Sequence, residues 1–136
     1  MESLLFVDAV FEKKRCREHT VEELRLLYSD VRDFKRRVDE AKKMDKRAPD
    51  TTYTAFAHSR FHELRRDFDP LNERLKLLDS DGIRRSRSWM MENFSNALTV
   101  KRKSSLMGKM GAVASSLSHI LDEIQSIGVA IQVQEI

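Results

Sequence analysis

The chain has few residues that interrupt helices. Its 136 residues include only 4 glycines and 2 prolines, the two types that most often mark tight turns and end regular elements. Charged residues make up 35%, above the roughly 25% of an average globular chain. Scarce turn residues and abundant charge favour long solvated helices over a sheet protein. The length suits a single unit.

The chain also lacks cysteine pairs and long apolar runs. Cys16 is the single cysteine, so an internal disulfide is excluded, which fits a reducing compartment. The apolar run Leu4–Val7 is too short for a secretory signal, since Asp8 follows it. No stretch approaches the ~20 apolar residues of a membrane span. We therefore expect a soluble intracellular protein.

No pattern typical of catalysis or cofactor binding is present. The sequence contains no glycine-rich phosphate loop and no Ser–His–Asp or Cys–His arrangement above chance. His58 and His62 are four residues apart on a predicted helix, but a metal site needs three or four ligands. A solvated helix edge is the simpler interpretation of the two histidines. The sequence predicts no enzyme, no cofactor and no metal.

Three stretches instead carry apolar residues at alternating three- and four-residue steps. This spacing keeps a narrow apolar stripe on one side of a helix, and such a stripe packs against another helix. The first stripe is Val21, Leu24, Tyr28, Val31, Phe34, Val38 and Ala41. We predict that the other two bind helices, either of this chain or of a partner: Phe61, Leu64, Phe68, Leu71, Leu75 and Leu78, then Leu106, Met110, Val113, Leu117, Ile120, Ile124 and Ile127.

The predicted fold is all-α: an elongated helical hairpin or coiled-coil bundle of three to five helices, forming one unit over 1–136. We expect helices at about 3–18, 21–46, 52–80 and 83–128. Thr20 and Glu23 form a capping-box pattern that starts the second helix. Pro70 predicts a kink in the third helix. The fourth helix should carry a stutter or short break near 100–105.

The remaining boundary signals are two polar breaks and an ambiguous tail. The segments 48–51 and 79–82 contain Pro49 and Gly82 among short polar residues, a composition typical of helix ends. Beyond the fourth helix, Val129, Ile131 and Val133 alternate at a period of two. This tail therefore fits either a short strand or a frayed helix end.

Two basic clusters are candidates for contact with an acidic surface. The clusters are Arg84, Arg85 and Arg87, then Lys101, Arg102 and Lys103. Solvated helix faces are the simpler interpretation; the functional one is contact with a microtubule, a nucleic acid or an anionic lipid. A net charge of +3 is by itself no signature of nucleic-acid binding, so neither nucleic acid nor membrane is favoured as a partner. Serines follow both clusters, a pattern typical of basophilic-kinase substrates: Ser86, Ser88, Ser104 and Ser105.

One segment resembles a known family. Its residues are Ser59, Arg60, Phe61, Leu64, Phe68, Pro70 and Leu71. They are similar to the middle of the small subunit of the spindle- and kinetochore-associated (Ska) complex. The resemblance implies an all-helical scaffold subunit that bundles with helices of two larger subunits. It further implies that the complex holds kinetochores on spindle microtubules and that the larger subunits make most of the microtubule contact. The implied location is the cytoskeleton, at the spindle and the kinetochore.

A second class of function fits the same stripes. SNARE-like or tethering subunits of vesicle and organelle trafficking also use heptads in four-helix assemblies. The absence of a membrane span and the interruption by Lys101–Lys103 weigh against this alternative. In both classes the chain is a non-enzymatic subunit whose partners are helical proteins. In the kinetochore class any microtubule contact would be indirect.

Overall fold

The computed structural model describes the backbone of residues 2–47, 50–97 and 99–135, and the side chains of 21–47, 56–97 and 99–129. Within these residues the chain forms four helices and no strand. The helices are α1 (Glu2–Arg47), α2 (Asp50–Lys76), α3 (Asp81–Ala97) and α4 (Lys103–Glu135). The prediction of an all-α bundle is confirmed.

The four helices surround one core in chain order. α1 packs beside α2 and α4, α3 also packs beside α2 and α4, and α2 meets α4 only across the diagonal. Arg74 contacts Asp30 while Arg37 contacts Asp67, so α1 and α2 run antiparallel. Short connections reverse the chain again after α2 and after α3. The result is an up-down-up-down four-helix bundle.

Four phenylalanine rings tie three of the helices together. The Phe68 ring centroid lies 5.4 Å from that of Phe34 on α1 and 6.2 Å from that of Phe94 on α3. The Phe61 and Phe94 centroids are 5.0 Å apart. Each such pair adds about 0.5–1.5 kcal/mol beyond its area burial. α4 completes the core with aliphatic side chains such as Leu117.

The side chains predicted to bind helices are mostly inside this core. All of them are buried except Leu78 and Ile127, which pack against the core partly exposed. Within this fold these side chains contact helices of the same chain. A partner could bind them only if the bundle opened, so partner binding at these residues stays a prediction. For the middle stripe the sequence allows packing against Leu106–Ile127 or against helices of a partner. The stripe instead meets α1 and α3, because α4 occupies the diagonal position.

The predicted boundary at Thr20 is wrong. α1 continues without interruption from Glu2 to Arg47, because this range contains no glycine or proline to stop a helix. A Thr-x-x-Glu pattern is also tolerated within a helix, at a modest cost in propensity. The break near Pro49 agrees with the end of α1 at Arg47 and the start of α2 at Asp50. Residues 48 and 49 lie outside the described residues.

In the second half of the chain the predicted break is present, and the strand alternative for the tail is not. The helix expected at 83–128 is two helices, and the break expected near 100–105 falls between Ala97 and Lys103. The backbone N–H groups of Thr99 and Val100 donate to Asn96 O and Ala97 O, which ends α3. The strand alternative for the tail is wrong, since α4 stays helical to Glu135. No glycine or proline follows Gly128 to end the helix earlier.

α2 runs through Pro70 and ends at Lys76, earlier than the predicted residue 80. Ser80 then starts α3, because its Oγ accepts a hydrogen bond from the Ile83 N–H at 3.3 Å. The same hydroxyl donates to Glu123 Oε2 of α4 at 3.3 Å. A Cβ on Gly82 would lie 2.8 Å from Glu123 Cδ. Gly82 therefore leaves room for a carboxylate at the α3 N-terminus, where the helix dipole favours negative charge.

We expect Gly108→Ala to stabilise the bundle. A Cβ at this position of α4 would meet nothing within 4 Å, so alanine adds no clash and removes the propensity cost of glycine. The free energy of unfolding in a denaturant titration should rise by about 0.5–1 kcal/mol. Gly82→Ala is the matched control and should show no such gain, because Glu123 must move. A loss of stability in Gly108→Ala would show that this face of α4 is covered.

Candidate interaction sites

An apolar groove lies between α1 and α4 at the end of the bundle near the α2–α3 connection. Its volume is about 250 Å³. The lining residues all belong to α1 or α4: Val21, Leu24, Arg25, Tyr28, Ile124, Gln125, Gly128 and Val129. We call these residues the α1–α4 groove. Among the side chains that the structure describes, neither α2 nor α3 contributes to it.

The groove exists because α1 and α4 extend past the other two helices. Arg74 contacts Asp30 just before α2 ends at Lys76. Glu123 lies beside Gly82 at the start of α3. Beyond these levels the backbones of α1 and α4 continue without α2 or α3 beside them. Val129 at this end is 57% exposed, whereas Leu24 and Ile124 in the groove lining are buried.

Three of the six large apolar side chains that are exposed among the described residues belong to segments at this end, whereas Met44 and Phe56 are at the opposite end. Leu77, in the α2–α3 connection, is 85% exposed, and Val129 in the groove is 57% exposed. Leu26 on α1 is also exposed. Single exposed apolar residues are ordinary on protein surfaces, but several beside an apolar groove are typical of an interaction site. Arg25, which forms an exposed ion pair with Glu22, gives the groove a polar rim.

The two basic clusters lie at opposite ends of α3. From Arg85 to the end of α3 at Ala97 the helix rises by about 18 Å at 1.5 Å per residue. In the first cluster Arg84 forms an ion pair with Asp81, and Arg87 Nη1 donates to Asn72 Oδ1 of α2 at 3.2 Å. Two of its three guanidinium groups are therefore held by the chain itself, which leaves Arg85 as the freely exposed one.

The second cluster gains lysines from α1. Lys103 Nζ donates to the backbone oxygen of Lys46 at 3.0 Å. Lys42 Nζ lies 3.4 Å from the position that a Cβ on Gly111 would occupy. We define the basic end of the bundle by its five residues: Lys42, Lys46, Lys101, Arg102 and Lys103. Sequence reasoning missed Lys42 and Lys46 because more than fifty residues separate them from Lys101; the signal was the Lys-rich end of α1.

The basic end has little negative charge nearby in the chain. The range 100–121 contains no acidic residue, and Asp45 is the only one in 41–47. Asp45 is buried, and its Oδ1 accepts a hydrogen bond from Arg60 of α2, so it is already paired. Within the described part of the chain no ion pair involves Lys42, Lys46 or Arg102. The charges of Lys42, Lys46 and Arg102 are therefore not neutralised by a carboxylate among the described residues.

The described residues meet neither the requirements of a metal site nor those of a membrane-spanning helix. No group of three His, Cys, Asp or Glu side chains there could hold a metal ion; His58 is half-buried and His62 exposed on α2. None of the described helices combines the length and the apolar character needed to cross a bilayer. The candidate sites are thus the α1–α4 groove and the basic end.

No protein-family model, no curated protein and no solved structure matches this chain. The function must therefore be argued from its own residues.

Proposed function

We propose that the chain is a non-enzymatic helical scaffold subunit that binds amphipathic helices of partner proteins in the α1–α4 groove. The observation that carries this proposal is the two-helix layer at one end of an otherwise closed four-helix bundle. Helices that continue α2 and α3 in space would complete that layer in the geometry of the rest of the bundle. An aliphatic stripe on the partner would match Val21, which is half-buried, and Val129, which is exposed.

The complex we propose for this subunit is a kinetochore–spindle microtubule coupling complex. The support is the resemblance of residues 59–71 to the small Ska subunit. Phe61, Leu64 and Phe68 of that segment are buried in the bundle, so they would build the subunit, while the groove would contact its partners. Microtubule contact would come mainly through those partners. The absence of a catalytic pattern supports a non-enzymatic role.

The test is an affinity purification of the tagged full-length chain from dividing cells, with mass spectrometry of the retained proteins. Two helical kinetochore subunits at near-equal stoichiometry would support the proposal. Vesicle-tethering or membrane-fusion proteins in their place would favour the trafficking alternative and overturn the kinetochore assignment. If no helical protein is retained at a stable ratio, the scaffold proposal itself fails.

The groove is tested by Val129→Glu. Val129 is 57% exposed, so the free chain should fold, whereas a partner helix would bury the new carboxylate against apolar side chains at a cost of several kcal/mol. We expect the retained partners to fall by about tenfold or more. Met44→Glu is the matched control, because Met44 is 58% exposed and lies near the other end of the bundle. Equal partner retention by both variants would exclude the groove as the binding site.

A further inference from the structure

The basic end of the bundle contains serines that the proposed function does not use. Ser104 and Ser105 are exposed in the first turn of α4. They follow Lys101, Arg102 and Lys103 directly, the arrangement that basophilic protein kinases select. The first buried residue of α4 is Leu106. The segment from Thr99 to Ser105 can therefore enter a kinase as an extended chain at low cost, because only the start of α4 has to unwind.

The other serines with a basic context are placed differently. Ser86 and Ser88 lie inside α3, which runs from Asp81 to Ala97. Ile83 and Met90 on either side of them are fully buried. An extended conformation at Ser86 or Ser88 would therefore pull core side chains out of the bundle. The two groups of serines beside basic residues look alike in sequence. Only the group at the start of α4 can become extended without removing core side chains from the bundle.

Ser104 shares a face of α4 with Gly111, over which a lysine of α1 lies. Ser104, Gly108 and Gly111 follow one another at four and three residues, so they share one face of α4. Lys42 lies over that face at Gly111. Lys46 is one turn further along α1, which runs antiparallel to α4, and its backbone oxygen is bound by Lys103 beside Ser104. A Cβ on Gly108, between Gly111 and Ser104, would meet nothing within 4 Å, so the space between Lys42 and Ser104 leaves room for a phosphate.

We propose that Ser104 is the acceptor of a basophilic protein kinase and that its phosphate joins α4 to Lys42 and Lys46 of α1. With MgATP as the donor, the Ser104 oxygen forms a bond to the γ-phosphorus as the bond from that phosphorus to ADP breaks. The hydroxyl proton leaves to the base of the kinase. The product carries a charge of about −1.5 to −2 and three acceptor oxygens. This inference does not depend on which complex the chain joins.

The phosphate stabilises this end of the bundle. It lies in the first turn of α4, where N–H groups and the helix dipole favour an anion, and opposite lysines that have no carboxylate partner of their own among the described residues. Charge-assisted hydrogen bonds form in such a setting. The same phosphate reduces the positive charge of the basic end, so modification weakens any contact that this end makes with an acidic surface.

The site is tested on the purified full-length chain with the catalytic subunit of a basophilic kinase and MgATP. Peptide mass spectrometry that separates Ser104 from Ser105 should find the phosphate on Ser104, incorporation lost in the Ser104→Ala variant and retained in Ser105→Ala, and unchanged incorporation in the Ser86→Ala, Ser88→Ala double variant. Phosphate on Ser86 or Ser88 in place of Ser104, or no incorporation at Ser104, would overturn the assignment.

The bridge to α1 is tested by thermal unfolding of the phosphorylated and unphosphorylated chains. Phosphorylation should raise Tm by about 2–5 °C at low salt, and the rise should shrink at high salt as the charges are screened. The Lys42→Gln, Lys46→Gln variant keeps the kinase motif, so it should be phosphorylated equally and show no rise. Arg65→Gln, Arg66→Gln on α2 removes the same charge at the diagonal helix and should keep the rise.

Two results would overturn the bridge. One is an unchanged or lower Tm after complete phosphorylation of Ser104. The other is a rise that persists without Lys42 and Lys46, since it would then come from the helix terminus alone.

Discussion

Leu117→Asp should unfold the isolated chain. Leu117 of α4 is fully buried at 0% exposure, so the substitution removes its apolar contacts and places a carboxylate in the core without a cation. The loss of packing alone costs about 2–5 kcal/mol, and the buried charge adds several more. Because small domains are stable by only about 5–15 kcal/mol, we expect loss of the cooperative thermal transition and of most helical circular dichroism.

Ser118→Asp is the matched control for this substitution. Ser118 is the next residue of the same helix, and it is exposed. The introduced charge is identical, so a change of stability within about 0.5 kcal/mol is expected. If Leu117→Asp folds as well as Ser118→Asp, the last stripe does not belong to the core of the free chain, and its role would be contact with a partner after all.

Phe68→Ala should destabilise the bundle by about 3–5 kcal/mol. The Phe68 ring is 0% exposed and contacts Phe34 of α1 and Phe94 of α3. Its removal leaves a cavity where three helices meet. A urea titration should show a lower midpoint with an unchanged slope, because the surface exposed on unfolding stays nearly the same.

Phe56→Ala is the control on the same helix. Phe56 is 69% exposed, so truncating it removes a similar side chain with few contacts, and stability should change by at most about 0.5 kcal/mol. Equal effects of the two substitutions would contradict the position of Phe68 between α1 and α3. The pair thus tests whether Phe68 lies in the core of the bundle.

The spacing of apolar residues was sufficient to predict the helical fold and most of the core. Leu64, Leu75 and Val113 were assigned to stripes from their three- and four-residue steps, and all three are buried. This succeeds because helical periodicity is local: each residue turns about 100° from the last whatever lies nearby. The break between Ala97 and Lys103 could be predicted for the same reason, since the stripe loses its register there.

Local signals were less reliable for the helix ends. Thr20 and Glu23 carry a capping pattern, yet α1 passes through them. A capping pattern lowers the free energy of a helix start by about 1 kcal/mol, which is too little to end a helix that nothing else interrupts. The alternation of Val129, Ile131 and Val133 failed as a strand signal in the same way, because continuing α4 needs no partner strand.

The sequence by itself determined that this protein is helical, that its stripes are buried, and that its serines follow basic residues. Tertiary structure alone decided that α2 packs against α1 and α3, that α1 and α4 extend past the other helices to form the groove, and that Lys42 lies over the face of Ser104. The physical reason is one of range. Periodicity depends on neighbours within a turn or two, whereas both candidate sites join residues on α1 to residues on α4, and only the packing of the core brings those helices together.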